Sequence, residues 1–291
     1  MLINKVTYKI KIGVIVSGVL LILFLWHDTP YEDMVKSGNN YPAEPSSYVS
    51  EKFKIYDVVL LGTRHKQKRV LEFISGMLPG LCEQGVSHLG LEIASDQQEY
   101  IDYYMENGIG MGKINLHHSI DCPAYRDLLK TIRKFHQKNM LKAVALDLPT
   151  SLYESHWNRD KWMAKSICNL LNKEPNTKIL VIVGNLHALK DIVWDENVPN
   201  KTGVIRTYLS EFNPDLKVFS ICQFINNVII ENGPGSDFTK DIISVAFDCT
   251  GSFLNYDLNV LQSVAAKSMK ANEITDGLVI YWKEGRGING L

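Results

Sequence analysis

The sequence predicts an α/β domain, a mostly parallel sheet with helices on both faces, preceded by an N-terminal membrane helix. Three observations carry this reading. Short β-branched runs such as Val58-Val59-Leu60-Leu61 and Ile179-Leu180-Val181-Ile182-Val183 are apolar on both faces, as strands covered on both sides are. Longer segments between them repeat apolar residues every three or four positions, the pattern of crossover helices. At the amino terminus, Ile12 to Trp26 carries no charge and has Ser17 as its one polar residue.

The first segment is flanked by Lys5, Lys9 and Lys11 on one side and by Asp28, Glu32 and Asp33 on the other. As a helix, Ile12 to His27 is about 24 Å long against a roughly 30 Å hydrocarbon core, a gap that snorkelling lysines and interfacial Trp26 close. It reads as an anchor, with a cleaved signal peptide as the competing reading. Lysines on one flank only place the rest of the chain across the membrane, in the periplasm or at the cell surface. Residues 28–50 hold Pro30, Pro42, Pro45 and Gly38-Asn39-Asn40 without apolar periodicity, as a tether does. The organisation is therefore an anchor over 1–27, a tether over 28–50 and one α/β domain over 51–291.

Within that domain, strands are expected at Ile55 to Leu61, His88 to Ile93, Ala143 to Leu146, Ile179 to Val183, Val218 to Ile221, Val228 to Ile230 and Leu278 to Trp282. Helices are expected at Lys68 to Cys82, Tyr125 to Lys138 and Asp160 to Asn172. The run around Val228 follows its predecessor closely enough to pair as a hairpin, giving an antiparallel edge in the second half. Asp96 to Asp121, with Tyr100, Tyr103, Tyr104 and His117-His118, follows the second strand and reads either as a lid over the crevice or, more simply, as the packed face of a helix.

Composition narrows the function. Lys and Arg number 31 against 32 Asp and Glu, so no global field draws the chain to nucleic acid. The 5 cysteines are scattered and odd in number, which excludes a disulfide miniprotein and a zinc ribbon. No Walker A motif, dinucleotide fingerprint or Gly-x-Ser-x-Gly elbow occurs.

The carboxyl ends of parallel strands share one edge, where ligands bind. After the first strand comes Gly62-Thr63-Arg64-His65; within the second lies Glu92; the third ends at Asp147; after the fourth comes Gly184-Asn185-Leu186-His187. Each glycine is expected to let the chain turn off its strand and deliver a histidine near a helix N-terminus. Two imidazoles and a carboxylate are the inventory of a divalent metal site, with zinc, manganese and cobalt left open. Alternatively, one histidine acts as general base on a water without any metal. Glu92, in an apolar strand, needs a partner to offset its desolvation. Arg159 can hold an anionic substrate group or brace Glu92, and Asp147 can orient a histidine or cap the turn before Pro149.

These motifs, in the order Leu61 to His65, Leu91-Glu92, Arg159-Asp160 with Met163-Ala164, and Val183 to Ala188, resemble the superfamily uniting erythromycin esterase-like enzymes, ChaN-like haem-binding proteins and TraB/Tiki proteins. The resemblance covers roughly residues 53–222. It implies that fold, and a metal-dependent hydrolase of a small ester or peptide-like substrate with His65, Glu92 and His187 as metal-binding or catalytic residues and Arg159 beside them. The ChaN branch implies haem instead, with Arg64, Asp147 and Tyr104 as candidate cofactor contacts and a homodimer as one assembly. The esterase branch carries Glu where this chain has Thr63, so the carboxylate that partners the histidine there is replaced here.

Overall fold

The computed structural model describes residues 43–154, 158–192, 203–226, 244–249 and 271–282. The expected anchor over 1–27 and the expected strand Val228 to Ile230 lie outside them. Among the described residues no helix is long and apolar enough to cross a membrane.

β1 (Val58–Thr63) is buried along its whole length. Val59 and Leu61 face one apolar cluster, and Val58 and Leu60 face another. The same double burial holds for β4 (Lys178–Gly184), with Leu180 and Ile182 on one side and Ile179, Val181 and Val183 on the other. Alternate side chains of a strand point to opposite faces, so a strand apolar throughout must be covered twice. The other strands are β2 (Val86–Ala94), β3 (Lys142–Asp147), β5 (Val218–Asn226), β6 (Ser244–Asp248) and β7 (Gly277–Trp282). They form one sheet in the order β3-β2-β4-β1-β5-β7-β6, parallel except for β6 against β7.

Helices α1 (Pro45–Lys52), α2 (Lys68–Glu83), α3 (Gln98–Asn107) and α4 (Pro123–His136) supply the first cluster. Helices α5 (Arg159–Lys173) and α6 (Ile205–Phe212) supply the second, and a short α7 (Ala271–Ile274) precedes β7. The strong amphipathic pattern of α4 buries Tyr125, Leu128, Leu129 and Ile132 on one stripe.

Two expectations change and a third is decided. Ala43 to Ser50 belong to the domain rather than to a tether: Ala43 bridges Ala246, and α1 buries Tyr48 and Val49. The residues that read as linker chemistry are helix-start chemistry, because Pro45 opens the helix while the Glu44 carboxylate accepts from the Ser46 and Ser47 amides at 2.9 and 2.7 Å. The antiparallel edge does lie in the second half, but β6 forms it, one strand beyond β7. Of the lid and the packed helix face, the second holds over α3, whose Ile101, Tyr104 and Met105 are buried at helical spacing and which stops at Gly108 in the left-handed region, φ 74°.

Candidate active site

Gly184 ends β4 opposite Thr63 of β1. Its amide donates to Glu92 Oε2 at 2.7 Å. A Cβ placed on it would stand 3.0 Å from His65 Nε2 and 3.6 Å from His187 Cδ2. The two imidazoles and the acid singled out from the sequence therefore meet around one backbone residue. The glycines serve close approach rather than turning: neither Gly62 nor Gly184 has positive φ, and a Cβ on Gly62 would fall 2.5 Å from Asn185 Oδ1. The two motifs pack into each other, glycine of the first against asparagine of the second, glycine of the second against histidine of the first. His187 follows in a turn closed by its own amide to the Gly184 carbonyl at 3.0 Å, not at a helix N-terminus.

Glu92 lies where the register of β2 against β3 shifts, between Leu91 and Ala94, and is 5% exposed. Its Oε1 accepts from Arg159 Nη2 at 3.0 Å and stands 3.7 Å from His187 Nε2. Arg159 also grips Asp147, Nε to Oδ1 at 2.9 Å and Nη2 to Oδ2 at 2.5 Å. Asp147 is 1% exposed and further accepts the Leu148 amide at 2.7 Å and the Tyr153 hydroxyl at 3.3 Å. Buried carboxylates persist only when paired and hydrogen-bonded, and one guanidinium serves two of them here. Burial opposes the Arg159 cation, but the hydrogen bond and charge of Asp147, with Glu92, overcome it and hold its pKa above the ordinary value. That also explains a cation at the first position of α5, where the helix dipole disfavours it.

Asp160, one residue on, points about 100° further round the helix. It meets the other histidine: His187 Nδ1 and Asp160 Oδ1 are 2.9 Å apart. Burial works against the charged imidazole, yet the Asp160 hydrogen bond and charge, then Glu92, outweigh it and raise the His187 pKa. Among the described residues His65 has no such partner, and it is half-buried. The Thr63 hydroxyl, at the position where a carboxylate partner stands in the esterase pattern, donates to the Val183 carbonyl at 3.1 Å instead.

The metal expectation gains no support from the described residues. Among the described residues no group of three His, Cys, Asp or Glu is arranged to hold a metal ion, and the two Glu92 oxygens already accept from Arg159 and Gly184. Of the two readings of Asp147, the structure shows the turn cap, through the Leu148 amide, and pairs the carboxylate with Arg159 rather than with a histidine. Tyr104, the candidate haem contact, is 5% exposed within the first apolar cluster and does not line the crevice. Arg64 stands exposed at the mouth of the crevice, which Thr63, His65, Lys66, Glu92 and Tyr125 help to line. His117 and His118 are exposed, their rings 4.1 Å apart.

Sequence reasoning assigned no role to Asp160 or Tyr125. Asp160 reads as an ordinary acidic residue favouring a helix N-terminus. The available signal was adjacency to Arg159, because neighbouring helix positions diverge and can serve two different groups. Tyr125 reads as the first apolar residue of a helical stripe, and nothing in the pattern separates its hydroxyl from its ring.

No protein-family model and no curated protein sequence matches the chain. Solved structures do. A mutant of erythromycin esterase EreC in its open conformation aligns at 12% identity and a TM-score of 0.59, over 84% of this chain and 95% of that one. A succinoglycan biosynthesis protein aligns at 10% identity and 0.58, over 89% and 98%. Haem-bound ChaN of Campylobacter jejuni aligns more loosely, at 14% identity and 0.46, over 84% and 98%. The chain thus has the fold of erythromycin esterase EreC, which the order of its motifs implies.

Proposed function

We propose that this chain hydrolyses a small ester or peptide-like substrate with two histidines in different roles and without a metal ligand set. The observation that carries it is the asymmetry around Gly184: one imidazole is bound to a partly buried carboxylate, and the other has no hydrogen-bond partner among the described residues. Groups of one type pushed into opposite environments are the usual mark of an acid and a base. His65, unpartnered and facing the crevice, takes a proton from water as it adds to the carbonyl carbon. The tetrahedral adduct collapses, the bond to the leaving oxygen or nitrogen breaks, and His187, held protonated by Asp160, supplies the proton. The two histidines return to their starting states by exchange with solvent. Arg159 is a positioning residue: it fixes Glu92, which stands beside the His187 cation. The fold of EreC supports hydrolysis as the class. The charge pattern around Ile12 to Trp26 supports a domain tethered outside the cytoplasm.

The test is release of nitrophenolate from 4-nitrophenyl acetate by the full chain. His65→Ala is expected to lower kcat/KM by about 10²–10⁴-fold, the usual span of general base catalysis, with little change in melting temperature, since the side chain holds nothing else. Chelator treatment is expected to leave the rate within about twofold, against the several kcal/mol of charge stabilisation a catalytic metal supplies. Loss of activity on chelation, restored by a divalent ion, refutes the metal-free mechanism. Equal rates in the wild type and His65→Ala refute the base.

A further inference from the structure

Tyr125 stands in the first turn of α4 and lines the crevice together with His65 and Glu92. It is 4% exposed, and its hydroxyl has no hydrogen-bond partner among the described residues. Such a group is unusual. Buried hydroxyls are nearly always paired, an unpaired one destabilises the fold, and a phenylalanine would fill the same space. Burial, then the charges of Glu92 and Cys122, push its pKa upward, so it remains a neutral phenol with a proton to donate. A donor fixed in a dry wall, beside a free base, suits an acceptor that arrives with the substrate.

We infer that the Tyr125 hydroxyl donates a hydrogen bond to the oxyanion formed when water adds to a carbonyl held in the crevice. This rests on the hydrolase reading above. In the step, the carbonyl electron pair moves onto oxygen, His65 receives the water proton, and Tyr125 keeps its own proton while solvating the new charge. Tyr125 makes no hydrogen bond to His65 or His187 among the described residues, so its role is separable from the acid and the base.

Tyr125→Phe removes one oxygen and no packing. The expected result with 4-nitrophenyl acetate is a fall in kcat of about 10²–10³-fold, the range for one oxyanion donor, with KM changed less than about threefold and a melting temperature equal to or above that of the wild type. Methylphosphonate, a tetrahedral anion, is titrated in parallel by calorimetry. It is expected to bind Tyr125→Phe about 10–100-fold more weakly, as loss of one hydrogen bond to a charged group predicts. In the wild type labelled with ¹³C at tyrosine Cζ, the Tyr125 resonance is expected to shift on phosphonate addition, a readout that needs no variant. Unchanged kcat in the variant with an active wild type overturns the donor and leaves the hydrolase standing. Phosphonate binding that depends on Tyr125, with no ester turned over, supports the donor and sinks the hydrolase. A Cζ resonance that does not move, or a wild type that neither binds nor hydrolyses, overturns the inference.

Discussion

The two halves of the sheet solve the burial of polar groups in opposite ways. On the β3-β2-β4 side the carboxyl edge gathers charge: buried Asp147 and Glu92 and partly buried Asp160 are held by Arg159 and His187, themselves partly exposed. On the β5-β7 side, at the same edge, the buried groups are neutral. The Gln223 amide donates to the Gly62 carbonyl at 2.9 Å and accepts from the Tyr281 hydroxyl at 2.5 Å, while Asn185 exchanges hydrogen bonds with the Gln223 backbone at 2.8 and 3.1 Å. Charges on that side gather around Asp276, with Arg206 and Lys190 partly exposed. Buried ion pairs contribute little net stability compared with well-packed apolar side chains. Stability alone therefore gives no reason for the charges of the first half, while the second half is held by neutral hydrogen bonds. Asn185 joins the two, placing the second histidine motif against the neutral side.

The sharpest way to break this contrast is to strand the charges. Arg159→Ala leaves Asp147 and Glu92 facing each other without their shared cation. The expected loss is about 3–5 kcal/mol in denaturant unfolding, the cost of an uncompensated buried charge. Arg159→Lys is expected to recover only part of it, because an ammonium cannot reproduce the fork that reaches both carboxylates. A loss below about 1 kcal/mol, the level of an exposed ion pair, would mean that solvent already reaches this network and that the carboxylates are not buried in the energetic sense.

The contrast also marks how far the sequence could be read. The parallel strands are visible because runs such as Ile179 to Val183 are apolar throughout, and only a sheet covered twice explains that; the antiparallel β6 is not. The convergence of His65, Glu92 and His187 is visible because parallel strands end on one edge. What escapes is anything decided by direction within an element. Arg159 and Asp160 are adjacent letters whose side chains diverge by helix geometry, so the sequence shows a pair where the structure shows two separate partners. Glu92 is visibly buried, but whether its oxygens meet a metal or an arginine depends on a register shift in β2 that no residue announces. Pro45-Ser46-Ser47 has the composition of a linker and of a helix start alike, and Tyr48 and Val49 decide between them only once there is a core to receive them.

On the neutral side the matching experiment is Tyr281→Phe. It leaves the Gln223 side-chain oxygen buried without its donor, and the expected cost is about 1–3 kcal/mol, the desolvation of one neutral acceptor. Ester hydrolysis is expected to stay within a few-fold of the wild type, since no charge near Gly184 changes. A collapse of activity with unchanged stability would show that the neutral side is tuning the site, and the contrast between the halves would fail.

The smallest effect, and the finest test, is Asp160→Asn. The replacement keeps the shape of the side chain and a hydrogen-bonding oxygen for His187 Nδ1, so only the charge is lost. Because Asp160 raises the His187 pKa, the sign follows from linkage. The pair stabilises the fold fully at pH below the unfolded histidine value of about 6.5, and that contribution disappears as pH rises through the higher folded value. The variant is therefore expected to lose about 1 kcal/mol in mildly acidic solution and to match the wild type more closely in alkaline solution. In turnover the same substitution is expected to move the alkaline limb of the pH–rate profile to lower pH, because His187 must be protonated to act as the acid. The acid limb is expected to stay where it is. Should both limbs move together, the two imidazoles titrate as one coupled pair, and the separation into an acid and a base around Gly184 does not hold.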